Sequence, residues 1–276
     1  MAMAHVERWN RGGKSVRTCL SLLVLGALLA ACSKPAAPVS SKRAMLAQMM
    51  TTSAQIFVER EGGVRRAGSG IVMSTALPQG TVAVLTTAHL LEPPVEQSAY
   101  VIAGPQGERT PVEIVAVDPD RDLALLTGVL PGVSQVMLAG RAELADEILI
   151  VAYPWGRKRT VVKGVVSQIA AQASIEDPFS ISGPVALVDA TVSYGMSGGG
   201  VFDKESGQLV GLVRGYRTAH LSLSSDDPPL KLPIAGETTI ISTVDIVCFL
   251  RSTGYDGLLA STSAAMIDER DCKQSG

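Results

Sequence analysis

The sequence predicts an all-β protein made of two six-stranded antiparallel β-barrels, with a candidate site in the cleft between them and a helix at the C-terminal end. Three observations favour this fold class. Glycine is frequent, with 27 residues in a chain of 276, and aromatic residues make up only 4%. Valine, isoleucine and threonine recur in short runs bounded by Gly, Pro or Asp, as strands and turns require. No regular alternation of strand and helix patterns is found, which argues against a parallel sheet.

Residues 1–31 have the pattern of a signal peptide rather than of a folded segment. Four basic residues precede an apolar run at 20–31, which is shorter than the ~20 residues of a comfortable membrane span. The run ends in Leu29-Ala30-Ala31-Cys32, which resembles a bacterial lipoprotein signal with cleavage before Cys32. Acyl chains on Cys32 would anchor the protein to a membrane, and Ser33 favours the periplasmic face of the outer membrane. The alternative is an ordinary secretory peptide with an incidental cysteine.

A tether and a short helix precede the strands of the predicted domain, which spans 45–255. Residues 32–44 are rich in Ser, Pro and Ala without hydrophobic periodicity, which indicates a tether. A helix is predicted at 43–52. Four apolar side chains on one face of it are expected to pack against the domain: Met45, Leu46, Met49 and Met50.

Twelve short β-rich runs follow the helix. The first six predict barrel 1, about 53–130: 54–59, 67–74, 81–86, 99–103, 112–117 and 123–127. The second six predict barrel 2, about 140–242: 147–152, 160–170, 185–189, 199–202, 209–214 and 238–241. A polar insert at 217–237 is interpreted as a surface loop, with a mobile regulatory or substrate-gating loop as the alternative.

The C-terminal part predicts a helix at 243–252, capped by Ser242 or Thr243, and a polar tail at 256–276. Beyond the signal peptide and Cys32, two cysteines remain. Cys248 and Cys272 could form a disulfide in an oxidising compartment. Cys248 also lies in an apolar run, so a simple core position is an equally good interpretation.

The net charge indicates which classes of partner are unlikely. The formal net charge is −2, and removal of a basic signal peptide would make the chain more acidic. No basic stripe remains, which argues against a nucleic-acid partner. No cofactor or metal is expected, and the oligomeric state is left open.

Three separate segments carry candidate catalytic residues. His89 follows the apolar run at 82–85, where a strand ends. Asp122 opens an apolar strand, and a buried carboxylate there needs a partner such as the ring N–H of a histidine. Ser197 lies in a glycine-rich turn, where a substrate can approach closely and backbone N–H groups can stabilise an oxyanion. The order His, Asp, Ser is that of one class of serine-protease triad.

These segments resemble those of trypsin-like (chymotrypsin-fold) serine proteases, closest to the Deg/HtrA type of bacterial envelopes. The similarity covers roughly 53–251, and the remaining tail does not predict a PDZ domain. The matching segments are 68–72, 85–89, 118–124, 152–156 and 189–199.

The resemblance implies a serine endopeptidase that forms an acyl-enzyme. His89 would act as general base and then general acid, Asp122 would orient it, and Ser197 would be the nucleophile. The backbone N–H groups of Gly195 and Ser197 would form the oxyanion hole. Peptides and envelope proteins are the implied substrates.

The resemblance also implies the substrate contacts. Leu212, Val213 and Arg214 would belong to an edge strand that pairs with extended substrate. Thr191 would lie near the specificity pocket. Tyr216 stands where a small residue is common, which favours a shallow pocket for a small apolar side chain.

Two departures from the family pattern surround the nucleophile. Met196 replaces the usual Asn or Asp, and Gly200 replaces the usual Pro. Without a polar contact from residue 196, the oxyanion loop would be loosely held. The alternative function is therefore a catalytically weak or inactive domain that binds peptides.

A G-x-S-x-G pattern, Gly195 to Gly199, also fits the nucleophile elbow of α/β-hydrolases. That fold places Asp and then His after the serine. The only later histidine is His220, 23 residues beyond Ser197, which leaves no room for the intervening elements. This alternative is therefore disfavoured.

Overall fold

The computed structural model describes residues 39–63, 65–74, 77, 80–104, 107–170, 182–221, 230–259, 267–268 and 271–272. The predicted signal peptide, the lipid site at Cys32 and most of the tether lie outside these residues, as does part of the C-terminal tail. Contacts separate a leading segment, Met1–Arg43, from one compact unit, Ala44–Gly276, which holds both barrels. No helix in the described ranges is long and apolar enough to cross a membrane.

Helix α1, Val39–Thr51, leads into the first strand and begins four residues earlier than predicted. The predicted packing of its apolar face is confirmed, because Met49 is buried and Met45, Leu46 and Met50 pack partly buried against the same core. The helix ends where the Oγ atom of Ser53 donates a hydrogen bond of 2.8 Å to the carbonyl of Met49.

Barrel 1 is a closed antiparallel barrel with the order β1-β2-β3-β6-β5-β4, as predicted. Its strands are β1 (Ser53–Arg60), β2 (Arg65–Ser74), β3 (Val82–Thr86), β4 (Gln97–Ile102), β5 (Arg109–Asp118) and β6 (Leu123–Gly128).

Strands β3 and β6 are apolar along most of their length because both of their faces are buried. Val84 and Leu126 belong to the interior core of barrel 1. Leu85 and Leu125 belong instead to a layer shared with barrel 2. Since side chains alternate between the two faces of a strand, such a strand needs apolar residues at successive positions.

Barrel 2 is also closed and antiparallel, with the order β11-β14-β13-β12-β8-β9. Its strands are β8 (Glu147–Ala152), β9 (Thr160–Ile169), β11 (Val185–Asp189), β12 (Gly200–Asp203), β13 (Leu209–Leu221) and β14 (Leu230–Ser242). Two further short strands, β7 (Ala142–Glu143) and β10 (Ser182–Gly183), pair with each other.

Helix α2, Thr243–Ser252, follows β14 as predicted. Ser242 is its N-cap, and the side chains of Ser242 and Asp245 form a reciprocal capping box. Its buried side chains, including Phe249, join the layer between the barrels. This layer also holds Phe202 of β12, so the helix and both barrels share one core.

Cys248 of α2 forms a disulfide with Cys272, 24 residues further along the chain. Cys248 is also buried. The disulfide interpretation is therefore correct, and Cys248 is at the same time a buried core residue at which the tail is attached.

The prediction of a loop at 217–237 is wrong for all the residues of that insert that the structure describes. β13 continues to residue 221 and β14 begins at residue 230, so the two strands form a long hairpin. Apolar residues at alternate positions, Leu230, Leu232 and Ile234, are the strand signal in this part. The acidic, proline-containing centre of the insert, which suggested a loop, lies at 222–229, outside the described residues.

Candidate active site

Barrel 1 brings His89 and Asp122 together. His89 lies in a short 3-10 turn, Ala88–Leu90, just after β3, and Asp122 immediately precedes β6. The Nδ1 atom of His89 lies 2.9 Å from Oδ2 of Asp122 and 3.1 Å from Oδ1. The backbone N–H of His89 donates to Oδ1 of the same carboxylate at 2.9 Å. With Nδ1 facing a carboxylate, the imidazole carries its proton there and leaves Nε2 as an acceptor.

Asp122 occupies a strained backbone conformation. Its φ is 58°, in the left-handed region, where Asp is one of the few side-chain-bearing residues found regularly. Its carbonyl accepts the N–H of Ala88 at 3.1 Å, and its own N–H donates to Pro119. The side chain of Asp122 is only 9% exposed. Backbone bonds thus fix a buried carboxylate beneath the imidazole.

The turn before Asp122 is stabilised by Asp118. Its carboxylate accepts the backbone N–H of Arg121 at 3.0 Å and Nη1 of the same arginine at 2.9 Å. Burial by itself would raise the pKa of Asp118, but the hydrogen bonds and charge of Arg121 outweigh it and hold that pKa below its usual value. Asp118 is therefore ionised and caps the turn that presents Asp122.

Barrel 2 supplies the glycine-rich loop that carries Ser197, between β11 and β12. Gly195 and Gly198 have φ values of +84° and +80°. A Cβ atom on Gly198 would lie 2.1 Å from the carbonyl oxygen of Ser69, so no other residue fits there without backbone movement. Gly198 therefore allows the loop to lie directly against β2 of barrel 1.

Ser69 of β2 joins the two barrels at this loop. Its hydroxyl donates to the carbonyl of Gly195 at 2.9 Å and accepts the N–H of Tyr153 at 2.8 Å. Its backbone N–H donates to the carbonyl of Ser197, also at 2.9 Å. Ser69 is 1% exposed. Ser69 lies in a strand segment that resembles the family's, but nothing in the sequence indicates this role.

The N–H groups predicted for the oxyanion hole have no partner among the residues that the structure describes. Within the described part of the chain, the backbone N–H groups of Gly195 and Ser197 donate no hydrogen bond. Their carbonyls, by contrast, are both bonded to Ser69. The loop is thus fixed through its acceptors and retains two donors.

Met196 does not leave the loop without a polar contact, so that expectation is wrong. Its side chain is buried in the core of barrel 2, and its Sδ atom accepts the N–H of Ser193 at 3.3 Å. Sulfur is a weak acceptor, but the flexible thioether fills the core as well. Gly200 has a packing reason, because a Cβ atom there would lie 2.6 Å from Ile71 and from the ring of Phe202.

Arg214 contacts both halves of the site. Its carbonyl accepts the Oγ hydroxyl of Ser197 at 3.2 Å, and its Nε atom lies 3.3 Å from Oδ2 of Asp122. Among the residues that the structure describes, Ser197 makes no hydrogen bond to His89. The sequence predicted Arg214 as a substrate-binding position and gave no sign that its guanidinium would reach the carboxylate.

The predicted edge strand at 212–214 is only partly an edge. Leu212 is fully buried and pairs with β12 on one side and β14 on the other, so it cannot bind substrate. The N–H and carbonyl of Val213 bond to Gly199 and Gly198. Leu212 and Val213 are not edge residues because β12 and the glycine loop pair with β13 there to close the barrel. β13 becomes free of β12 only beyond these residues.

A cleft of about 560 Å³ opens beside the imidazole. Thr191 is exposed after β11 but does not line this cleft. The polar side chains that line it are His89, Asp122, Gln168, Arg214, Tyr216, Arg217 and Thr239.

Two closed six-stranded antiparallel barrels with this cleft and C-terminal helix define a chymotrypsin-like fold. The sequence at residues 68–212 matches the profile of the trypsin-like peptidase domain family. Since that match covers just over half of the chain, the chain belongs to this family.

Solved structures agree on the fold. A serine endoprotease of Yersinia pestis has 20% identity and a TM-score of 0.58, over 78% of this chain and 67% of that one. The Rv3671c protease of M. tuberculosis in its active form has 21% identity and a TM-score of 0.57, over 79% and 87%. The HtrA-type protease AlgW with a tripeptide has 19% identity and a TM-score of 0.55, over 78% and 64%.

Proposed function

We propose that this chain is a serine endopeptidase that cleaves proteins of the bacterial envelope, with Ser197 as nucleophile. The observation that carries the proposal is the imidazole–carboxylate pair of His89 and Asp122. Arg214 contacts both that carboxylate and the hydroxyl of Ser197, and it thereby links the acid–base pair to the nucleophile loop.

The chemistry follows from these groups. The Ser197 hydroxyl rotates from the carbonyl of Arg214 towards Nε2 of His89, which takes its proton as Oγ attacks a peptide carbonyl. The N–H groups of Gly195 and Ser197 stabilise the oxyanion, a contribution of ~3–4 kcal/mol for each such donor. His89 then protonates the leaving amine, and water releases the acyl group by the reverse sequence.

Asp122 has two tasks in this scheme. It keeps the proton of His89 on Nδ1, and it stabilises the imidazolium once the second proton arrives. Its position below the ring and its bond to the backbone N–H of His89 support both tasks.

A second candidate function is a peptide-binding domain without catalytic activity. It is favoured by one observation, the hydrogen bond that Ser197 donates to Arg214 rather than to His89. The two functions predict opposite results with a reagent that modifies activated serines.

Labelling of the full chain with a fluorophosphonate probe distinguishes them. We expect covalent labelling of the native chain and none of Ser197→Ala. The matched control is Ser193→Ala, which removes a hydroxyl four residues earlier and should leave labelling intact. Absence of any Ser197-dependent adduct, with unfolded protein present, would establish the binding domain instead.

The proposed location is the periplasmic face of the outer membrane, through acyl chains on Cys32. The lipobox-like residues before Cys32 support it. We expect Cys32→Ala to move the protein from the membrane fraction to the soluble periplasmic fraction, whereas Cys19→Ala, within the signal peptide, should leave it on the membrane. Retention of Cys32→Ala on the membrane would contradict the anchor.

A further inference from the structure

Arg214 of β13 places a guanidinium on the carboxylate of the candidate acid–base pair. Its Nε atom lies 3.3 Å from Oδ2 of Asp122, and that oxygen is also 2.9 Å from Nδ1 of His89. The side chain of Asp122 is buried, whereas that of Arg214 is 50% exposed. The guanidinium is therefore bonded to the carboxylate on one side and open to solvent on the other.

The open side of this guanidinium carries donors without a partner. An arginine side chain has five N–H groups in a planar fork, and Nε supplies only one of them. Among the residues that the structure describes, the Nη1 and Nη2 atoms of Arg214 have no acceptor. Arg214 also lines the cleft of about 560 Å³ beside the imidazole. Its terminal nitrogens are thus available to a group that enters this cleft.

The charges of the cleft favour an anion. Among the described residues, the guanidinium groups of Arg214 and Arg217 line it against the single carboxylate of Asp122. That carboxylate is already bonded to both His89 and Arg214. Arg217 has a distant partner in Glu237, with Nη1 3.5 Å from Oε2, but Glu237 does not line the cleft. The lining groups therefore leave an excess of positive charge in the cleft.

We propose that this cleft binds an acidic side chain of the substrate, and that Arg214 is the specificity-determining residue that recognises it. The proposal rests on the proposed function and specifies its substrates. The oxygens of the substrate carboxylate accept from Nη1 and Nη2, while Nε stays on Asp122. Paired bonds between a guanidinium and a carboxylate are among the strongest hydrogen bonds in proteins. Because His89 lines the same cleft, the acidic side chain lies within a few residues of the cleaved bond.

The ion pair with Asp122 prepares Arg214 for this contact. A freely moving side chain loses conformational freedom when it binds a ligand, and that loss weakens binding. The guanidinium of Arg214 is instead already held by a buried carboxylate. The buried carboxylate thus fixes the donor fork in the cleft before a substrate arrives.

The walls of the cleft suit the methylene stem of a glutamate. Leu187 of β11 and Ile240 of β14 line it together with Arg214. Apolar walls pack against methylene groups, while a charged group at the same site binds the polar end. Thr191, the position implied for the specificity pocket, does not line this cleft. The acidic subsite is therefore separate from that pocket.

Two fluorescein-labelled, C-terminally amidated peptides test the acidic subsite. One has the sequence Val-Glu-Ala-Glu-Val-Glu-Ala-Glu-Val, and the other has Gln in place of every Glu. Fluorescence anisotropy gives their Kd values for the full chain carrying Ser197→Ala, which cannot cleave them. We expect the Glu peptide to bind about tenfold more tightly, and its KM with the native chain to be lower by about the same factor.

Substitutions at Arg214 in the Ser197→Ala chain should remove this preference. We expect the ratio of the two Kd values to fall to about one in Arg214→Ala and to about three in Arg214→Lys, which keeps the charge without the fork. The matched control is Arg141→Ala, which removes an equal charge at an exposed position outside the cleft. Its ratio should remain about tenfold, because solvent and salt screen a distant surface charge.

Three results would overturn the acidic subsite. The first is equal affinity of Ser197→Ala for the two peptides. The second is a ratio that Arg214→Ala leaves unchanged, as a merely structural role of Arg214 would predict. The third is an equal fall in Arg141→Ala, which would assign the preference to net charge. Because binding is measured on a chain that cannot cleave, these results are separate from a failure of fluorophosphonate labelling, which would overturn the proposed endopeptidase.

Discussion

Barrel 1 positions its part of the site largely by contacts within itself, with one ion pair from Arg214 of barrel 2, whereas the loop that carries Ser197 is bonded both to its own barrel and to Ser69 of barrel 1. His89 and Asp122 bond to each other through both side chain and backbone. The loop around Ser197 instead has its carbonyls bonded to Ser69 of β2. The acid–base pair is therefore local, but the nucleophile depends on how the barrels join.

Substitutions in the two regions should therefore have different effects. A change inside barrel 1 that spares the interface should affect proton transfer and leave the nucleophile loop in place. A change at Ser69 should disturb the oxyanion donors and leave the His89–Asp122 pair intact.

Asp122→Asn should have the largest effect. The amide cannot hold the imidazole in the same tautomer, so we expect kcat/KM for casein-derived peptides to fall about 10⁴-fold. Asp120→Asn, at an exposed position of the same turn, is the matched control and should retain activity. A loss of less than tenfold in Asp122→Asn would show that barrel 1 does not supply the proton-transfer pair.

Ser69→Ala should have the second largest effect. It leaves the carbonyl of Gly195 and the N–H of Tyr153 buried without their partner, so we expect a loss of about 1–3 kcal/mol in the free energy of unfolding. We also expect fluorophosphonate labelling to slow by about 10–100-fold, since the donors lose their support. The control is Ser53→Ala, an equally buried serine that bonds to Met49. Equal labelling rates in the two variants would contradict the conclusion that the hydrogen bonds of Ser69 position the nucleophile loop.

The Cys248–Cys272 disulfide should affect stability but not chemistry. The loop it closes spans 24 residues, so we expect Cys272→Ser to lower the free energy of unfolding by about 3 kcal/mol in urea titrations. The bond attaches the tail to helix α2, in the layer shared by both barrels. Labelling of the folded variant should match that of the native chain, and a slower rate would show that this layer also positions the site.

Glu147 of β8 should give the smallest effect. Hydrogen bonds from Lys163 and Lys204, with their charges, lower its pKa from 4.5 to about 2. A lowered carboxyl pKa stabilises the fold above the unfolded value, and that contribution is lost as pH falls from about 4.5 through 2. We expect Glu147→Gln to reduce the acid dependence of unfolding in this range only slightly, because solvent screens the exposed pair. A change in labelling at neutral pH would contradict its purely structural role.

The sequence predicts most of the fold because barrel strands carry local signals. Runs such as 82–86 and 123–128 are short, apolar and bounded by turns. Their burial on two faces explains why they lack the usual alternation. The outer part of the β13–β14 hairpin is not predicted, since the Asp and Pro residues at its centre favour a loop more strongly than the alternation of Leu230, Leu232 and Ile234 favours a strand.

A site residue is predictable from the sequence where a chemically reactive residue type lies within a recognisable local segment. His89, Asp122 and Ser197 each lie in a recognisable segment, so their residue types are informative. The roles of Ser69 and of the Arg214 guanidinium cannot be predicted from the sequence. They arise from contacts between residues far apart in the chain, such as the contact of Ser69 with Gly195, 126 residues away. No pattern around a strand serine indicates which carbonyl of the other barrel it will meet.

The central claim is that His89 of barrel 1 activates Ser197 of barrel 2. The most direct test is the second-order rate constant for fluorophosphonate labelling of the native chain and of His89→Ala, with folding of both verified by circular dichroism. Loss of a general base costs about 10²–10⁴-fold, so we predict at least a 100-fold lower rate constant in His89→Ala. Equal rate constants in two folded proteins would contradict the account.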